Sequence, residues 1–230
     1  MKPVCLLAVL AACAWPETQP DQPVGGPEAV APGLYAIVKT SMGPITAKLF
    51  EKDAPSTVST FVGLATGHQA WKDPETGEMV DRPLYSNLRF DRVAPGYMIQ
   101  TGDPTSTGTY DCGIRVKDEV APDLQFDRPG RLGIMNFGQP NTGTCEFFIT
   151  ADAYPALDAA PGSHGYTIFG QVIDGQEIVD RISNVPHDAH GRPRTAVRLL
   201  GVVIQRVGPG AVTPAPQPVA ATTRKKPKID

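Results

Sequence analysis

What most restricts this chain is the way short apolar runs are punctuated by proline and glycine. Gly 23 and Pro 24 together make about a fifth of the 230 residues, against roughly 12% in ordinary globular chains. Proline removes a backbone donor and clashes with the preceding helical turn, so the pattern argues against a helical bundle and for a loop-rich β domain. The clearest local signal lies at 34–50. Leu34 to Thr40 (LYAIVKT) alternates, Ser41-Met42-Gly43 turns, and Pro44 to Phe50 (PITAKLF) alternates again. Two period-2 runs around a glycine-containing turn read as a β-hairpin.

A helix is expected next. Asp53 stands just before Pro55, which suits a first helical position. Val58, Phe61, Val62 and Ala65 then follow the spacing of one buried helix face, and Gly67 ends it. Residues 68–84 are polar and turn-rich and read as an exposed insertion. Short apolar runs follow at Tyr97–Gln100, Leu132–Met135, Phe147–Thr150, Tyr166–Ile173 and Val197–Arg206. Asp174-Gly175 opens a second short helix with Ile178, Val179 and Ile182 on one face. Many strands, two helices and no βαβ rhythm point to a β-barrel or sandwich flanked by helices. Hydrophobic residues at 41% supply a core. A net charge of −3 gives no sign of a nucleic-acid binder.

The ends differ from residues 33–207, which read as one domain. Met1 and Lys2 precede an apolar run, Val4 to Leu10, and then Ala11, Ala12 and Cys13. A positive start, an apolar stretch and small residues read as a secretory signal over 1–12. Leu10-Ala11-Ala12-Cys13 also looks like the lipobox of bacterial lipoproteins, where the cysteine is lipidated and becomes the first residue. The alternative is a short apolar N-terminus of a cytoplasmic protein. Residues 13–32 read as a Pro/Gly-rich tether and 208–230 as a Pro-rich basic tail. The expected place is therefore the periplasm or cell envelope, lipid-anchored at the outer membrane, with Cys13 the only link to lipid.

Three segments resemble the cyclophilin family. Phe90-Asp91-Arg92-Val93-Ala94-Pro95-Gly96-Tyr97-Met98-Ile99-Gln100-Thr101-Gly102-Asp103 is similar to its F-H-R-V-x-P-G-F-M-x-Q-G-G-D. Pro140 to Ile149 (PNTGTCEFFI) resembles P-N-T-N-G-S-Q-F-F-I, and Tyr166 to Val172 (YTIFGQV) resembles the bacterial Y-T-I-F-G-x-V. The resemblance spans about 34–206 and implies a mainly β fold, an eight-stranded antiparallel barrel capped by two helices. It also implies peptidyl-prolyl cis–trans isomerase activity on proline-containing peptides and unfolded exported proteins, by a monomer, without cofactor or metal. A catalytically weak module that binds proline-containing segments is the alternative.

The chemistry needs no nucleophile. Rotation about an X–Pro bond meets a barrier of ~18–20 kcal/mol because the amide is conjugated. At the twisted transition state the prolyl nitrogen becomes pyramidal and basic. A fixed donor there stabilises the twisted form more than the planar one. A guanidinium suits this, being always charged and rigidly forked. Phe90 and Val93 give Arg92 the context of a partly buried cation on a strand. By resemblance Arg92 is the catalytic arginine, and Gln100 orients it and bonds the substrate backbone. By resemblance too, Met98 and Phe148 are proline-pocket positions with Tyr97 and Leu157 beside them, Asn136 is a substrate-backbone contact, and Tyr166 is a further substrate-binding position where bacterial members carry Tyr. Ordinary core is the plainer reading of the apolar four. If Ile99 faces the core, Met98 and Gln100 face the opposite side, where a groove could lie.

The chain departs from the family pattern at Asp91, Thr101, Phe137 and Glu146. Strand alternation predicts that Asp91 and Arg92 point to opposite faces and do not pair. Glu146, replacing a glutamine beside the groove, is expected to disfavour acidic peptides. Ala156 stands where the family carries its drug-binding tryptophan, so weak cyclosporin binding is expected. Export would leave Cys112 and Cys145 in an oxidising compartment. The loops that carry them border the pocket in the implied fold, which makes a disulfide between them the expectation, with two unlinked thiols as the alternative.

Overall fold

A computed structural model of the protein describes residues 31–160 and 164–208. The expected signal segment, most of the tether, Cys13 and the basic tail beyond 208 lie outside the described residues. The strands are β1 (Gly33–Thr40), β2 (Gly43–Leu49), β3 (Trp71–Lys72), β4 (Met79–Val80), β5 (Leu88–Ala94), β6 (Met98–Thr101), β7 (Arg131–Asn136), β8 (Gly143–Thr150), β9 (Ile168–Asp174) and β10 (Arg198–Val207). Helices α1 (Pro55–Thr66) and α2 (Gln176–Ser183) complete the elements used below. Eight strands close an antiparallel barrel in the order β1-β10-β5-β6-β8-β7-β9-β2. This is the expected barrel with two helices.

Period-2 patterning explains the hairpin. Leu34, Ala36 and Val38 of β1 and Ile45, Ala47 and Leu49 of β2 are buried, while their neighbours are covered less regularly. Helix α1 buries Val58, Phe61, Leu64 and Ala65 against the barrel. Phe61 meets the rings of Tyr85, Phe147 and Phe169 at 5.2, 5.2 and 5.1 Å. Each such side chain contributes roughly 1.5–3 kcal/mol through its burial. Gly67 ends α1 in the left-handed region at φ 80°, as its sequence position predicts. The start of α1 differs from expectation. No side chain adjacent in sequence caps it. Glu119, far along the chain, accepts from the amides of Ser56 and Thr57 at 2.9 and 2.8 Å and from the Thr57 hydroxyl at 2.8 Å. Those amides are among the unpaired donors at any helix start, and a carboxylate satisfies them from outside.

The 68–84 segment is more ordered than its polarity suggests. Its small β3–β4 sheet buries Trp71, and Leu84 is buried beyond it. The Trp71 indole donates to the Arg82 carbonyl at 2.8 Å. The Arg82 guanidinium lies 5.2 Å over the indole and pairs with Asp73. A single tryptophan in a polar stretch has no periodicity to report, so sequence patterning passes over it.

Candidate active site

Register assembles the site. Gln100 of β6 lies opposite Arg92 of β5 on one side and opposite Phe148 of β8 on the other. Phe148 in turn lies opposite Gly133 of β7. Cross-strand neighbours share a face of the sheet. Ile99, Val93, Phe147 and Ile149 belong to the barrel interior, so this row stands on its outer wall. Met98 joins it, as the alternation around Ile99 predicts.

The outer wall is covered by a second apolar cluster. Met98, Phe126, Phe148, Leu157 and Ile168 form its buried part, with Tyr97 and Tyr166 among its half-buried edge. Phe126 stacks on Phe148 at 5.7 Å, and Tyr166 meets the Phe148 ring edge-on at 5.4 Å. Met98 and Phe148 are only 2% and 1% exposed, so they make a floor rather than an open wall. Tyr97 packs on Tyr154 at 4.3 Å. Asn136 closes the far end. Its Nδ2 donates to the Gly165 carbonyl at 3.1 Å and its Oδ1 accepts from Gly138 N. That side chain ties β7 to the segment carrying Tyr166.

Arg92 is exposed, not the partly buried cation its apolar neighbours suggest. The reason is a β-bulge. Phe90 pairs with Thr101 and Arg92 with Gln100, so Asp91 is an extra residue on β5. Phe90 and Val93 both face the core. Asp91 and Arg92 are both turned away from it, which corrects the expectation of opposite faces. They still form no ion pair among the described residues. The Arg92 guanidinium has no hydrogen-bond partner among those residues either, and it lies 5.9 Å from the Tyr97 ring centroid.

Behind Arg92, Gln100 is 3% exposed. Its Nε2 donates to Glu146 Oε2 at 2.7 Å and to Asp91 Oδ2 at 3.3 Å. Glu146 is buried in this contact and does not line the groove as a bare charge. Burial, then the Asp91 charge, pushes the Glu146 carboxyl up to about 8. Burial likewise pushes Asp91 up to about 7; a backbone hydrogen bond, Arg192 and Arg92 oppose the rise, and Asp103 adds to it. Thr101 is buried, and its hydroxyl donates to the Arg89 carbonyl at 2.7 Å. Phe137 is 44% exposed under the Arg115 guanidinium.

Cys112 and Cys145 are joined, with Cα atoms 6.5 Å apart. The link fastens the loop after β6 to β8 at the residue preceding Glu146. The Tyr85 hydroxyl donates to the Cys145 carbonyl at 2.8 Å on the same stretch. Sequence reading missed Phe126, Tyr154 and Glu119. Each is a lone residue in irregular chain, and only aromatic or acidic character in a loop could have drawn notice.

The outer wall of the barrel thus sets an exposed guanidinium, unpaired among the described residues, beside a closed apolar floor. The family model for cyclophilin type peptidyl-prolyl cis–trans isomerases matches residues 35–204. Peptidyl-prolyl cis-trans isomerase B of Streptomyces anulatus is 42% identical over 180 residues, covering 77% of this chain and 97% of its own. Peptidyl-prolyl cis-trans isomerase A of Mycobacterium tuberculosis is 39% identical over 171 residues, covering 74% and 91%. A crystal structure of a Cryptosporidium parvum cyclophilin type isomerase in the presence of the dipeptide Ala-Pro has a TM-score of 0.62 at 30% identity, covering 75% of this chain and 99% of that one. The chain belongs to the cyclophilin-type peptidyl-prolyl cis–trans isomerases, and its activity is isomerisation of proline-containing peptides.

Proposed function

We infer that Arg92 is the catalytic residue and that the prolyl ring of a substrate rests against the patch formed by Tyr97, Met98, Phe148, Leu157 and Tyr166. The unpaired, exposed guanidinium standing in register with Gln100 and Phe148 carries this reading. A donor held at the prolyl nitrogen stabilises the twisted amide, and the apolar floor keeps water from the planar form. Gln100 supplies an amide within the same row. Asn136 shapes the end of the groove through its tie to Gly165.

The clients are proline-containing segments of exported proteins at the cell envelope. A lipobox-like Leu10-Ala11-Ala12-Cys13 supports this, as does the Cys112–Cys145 link, which suits an oxidising compartment. Lipid on Cys13 would be the only membrane contact, and the protein would act as a monomer. A Cys13→Ser variant is expected in the soluble fraction after cell breakage; persistence with membranes removes the anchor.

A proline-peptide isomerisation assay on wild type and Arg92→Ala tests the site. The variant is expected to lose on the order of 10²–10³ in kcat/KM, the size of one preorganised donor. Equal rates would move the catalytic group elsewhere. Two rates equal to the uncatalysed one would leave the weak binding module.

A further inference from the structure

The buried polar row behind Arg92 contains more than the reaction requires. Two carboxyl groups converge on one amide: Gln100 Nε2 donates to both Asp91 Oδ2 and Glu146 Oε2. Asp91, Gln100 and Glu146 are 6%, 3% and 3% exposed. Gln100 Oε1 and Asp91 Oδ1 are buried without a partner among the described residues. An orphaned buried acceptor is costly unless a donor is supplied. The residue directly opposite Gln100 on β5 is Arg92, the proposed catalytic donor. An amide is nearly symmetric in shape, so what decides which end faces which neighbour is the hydrogen-bonding character of the surroundings. An ionised carboxylate only accepts. It therefore admits the amide with its NH₂ inward and leaves the carbonyl for a donor arriving from the groove.

We propose that Asp91 and Glu146 are positioning residues that hold the Gln100 amide one way round, so that its carbonyl is reserved for the Arg92 guanidinium or a substrate N–H, and that a proton on this carboxyl pair releases the hold. When a carboxyl is protonated its O–H is a donor and can satisfy Gln100 Oε1 itself, which takes the acceptor out of use. Ionisation removes that competitor. The raised position of both carboxyls places the transition near neutral pH. Other charged groups face the cluster. Arg92 lies on β5, Asp103 in the loop after β6, Arg192 in the loop before β10, and Tyr85 beside Glu146. A guanidinium is charged at any working pH, Tyr85 is held neutral by burial, and Asp103 is held ionised by the hydroxyls and amides of Thr105 and Thr107 and the amide of Gly108 despite its own burial. None of the four changes charge across neutrality. His190 lies two residues before Arg192 and serves as a control.

The inference rests on Arg92 and Gln100 being the working groups, and the test separates the two. The folded full chain is assayed between pH 6 and 9 on a blocked peptide with no titratable group. Wild-type kcat/KM is expected to rise about three- to tenfold across this range, the worth of one net hydrogen bond. The double variant Asp91→Asn/Glu146→Gln is expected to give a flat profile, and Glu146→Asp to restore a sloping one. His190→Asn keeps the wild-type slope. A flat wild-type profile, a double variant with an unchanged slope, or a slope lost in His190→Asn overturns the proposal. An Arg92→Ala variant with full activity would instead overturn the site on which it rests.

Discussion

The far edge of the Phe148 ring fills the space that a side chain on Gly133 would occupy. The two residues are direct partners across β7 and β8. The pocket floor is thus set by an absence on one strand as much as by an aromatic on the next. Glycine is used here for close approach rather than for a turn.

Gly133→Ala should therefore push Phe148 toward Phe126 and Tyr166, which pack on its other sides. Overpacking of this kind costs roughly 1–3 kcal/mol. Urea unfolding should show that loss together with reduced kcat/KM. A variant with unchanged stability and activity would mean that the ring relocates freely.

The Cys112–Cys145 link closes a loop of 33 residues. Loops of that size gain roughly 3–4 kcal/mol on the chain-entropy account. Reduction, or a Cys112→Ser/Cys145→Ser pair, should lower the unfolding midpoint accordingly. Alkylation of both thiols in the unreduced protein would contradict the link.

Stability should fall as pH rises from about 4 to about 8. Asp91 and Glu146 keep their protons in the fold up to about 7 and about 8, whereas unfolded carboxyls lose them near ~4. The folded state then binds more protons across the window, which gives stability a negative slope with pH. Glu146→Gln should flatten part of that slope, so its Tm relative to wild type should be higher at pH 8 than at pH 5. An identical difference at both values would show that the burial of Glu146 carries no such cost.

Glu119→Ala should destabilise helix α1 without touching the groove. Three donors at its first turn lose their acceptor. Loss of a helix cap typically costs ~1 kcal/mol. Denaturation should report it while kcat/KM on a peptide stays at the wild-type value; a fall in kcat/KM at full stability would tie α1 to the site.

Alternation at 34–50, the Val58–Ala65 stripe and Gly67 determine the hairpin and the first helix by themselves, because local patterning fixes which face each residue presents. The motifs around Arg92, Met98, Gln100 and Phe148 were likewise legible, since each sits in a short contiguous segment. What the sequence did not carry is where those segments meet. The bulge at Asp91 turns two adjacent residues off the same face, and no residue type in Phe90-Asp91-Arg92 announces it. Phe126 and Glu119 act across long separations from irregular chain, where neither period 2 nor period 3.6 leaves a trace, and Trp71 sits on a two-residue strand too short to show a period. The protonation of Asp91 and Glu146 depends on burial beside each other, a property of barrel closure and of the loop fastened over β8. Strand identity is a local matter of side-chain alternation, whereas register, burial and charge state exist only once the strands have closed.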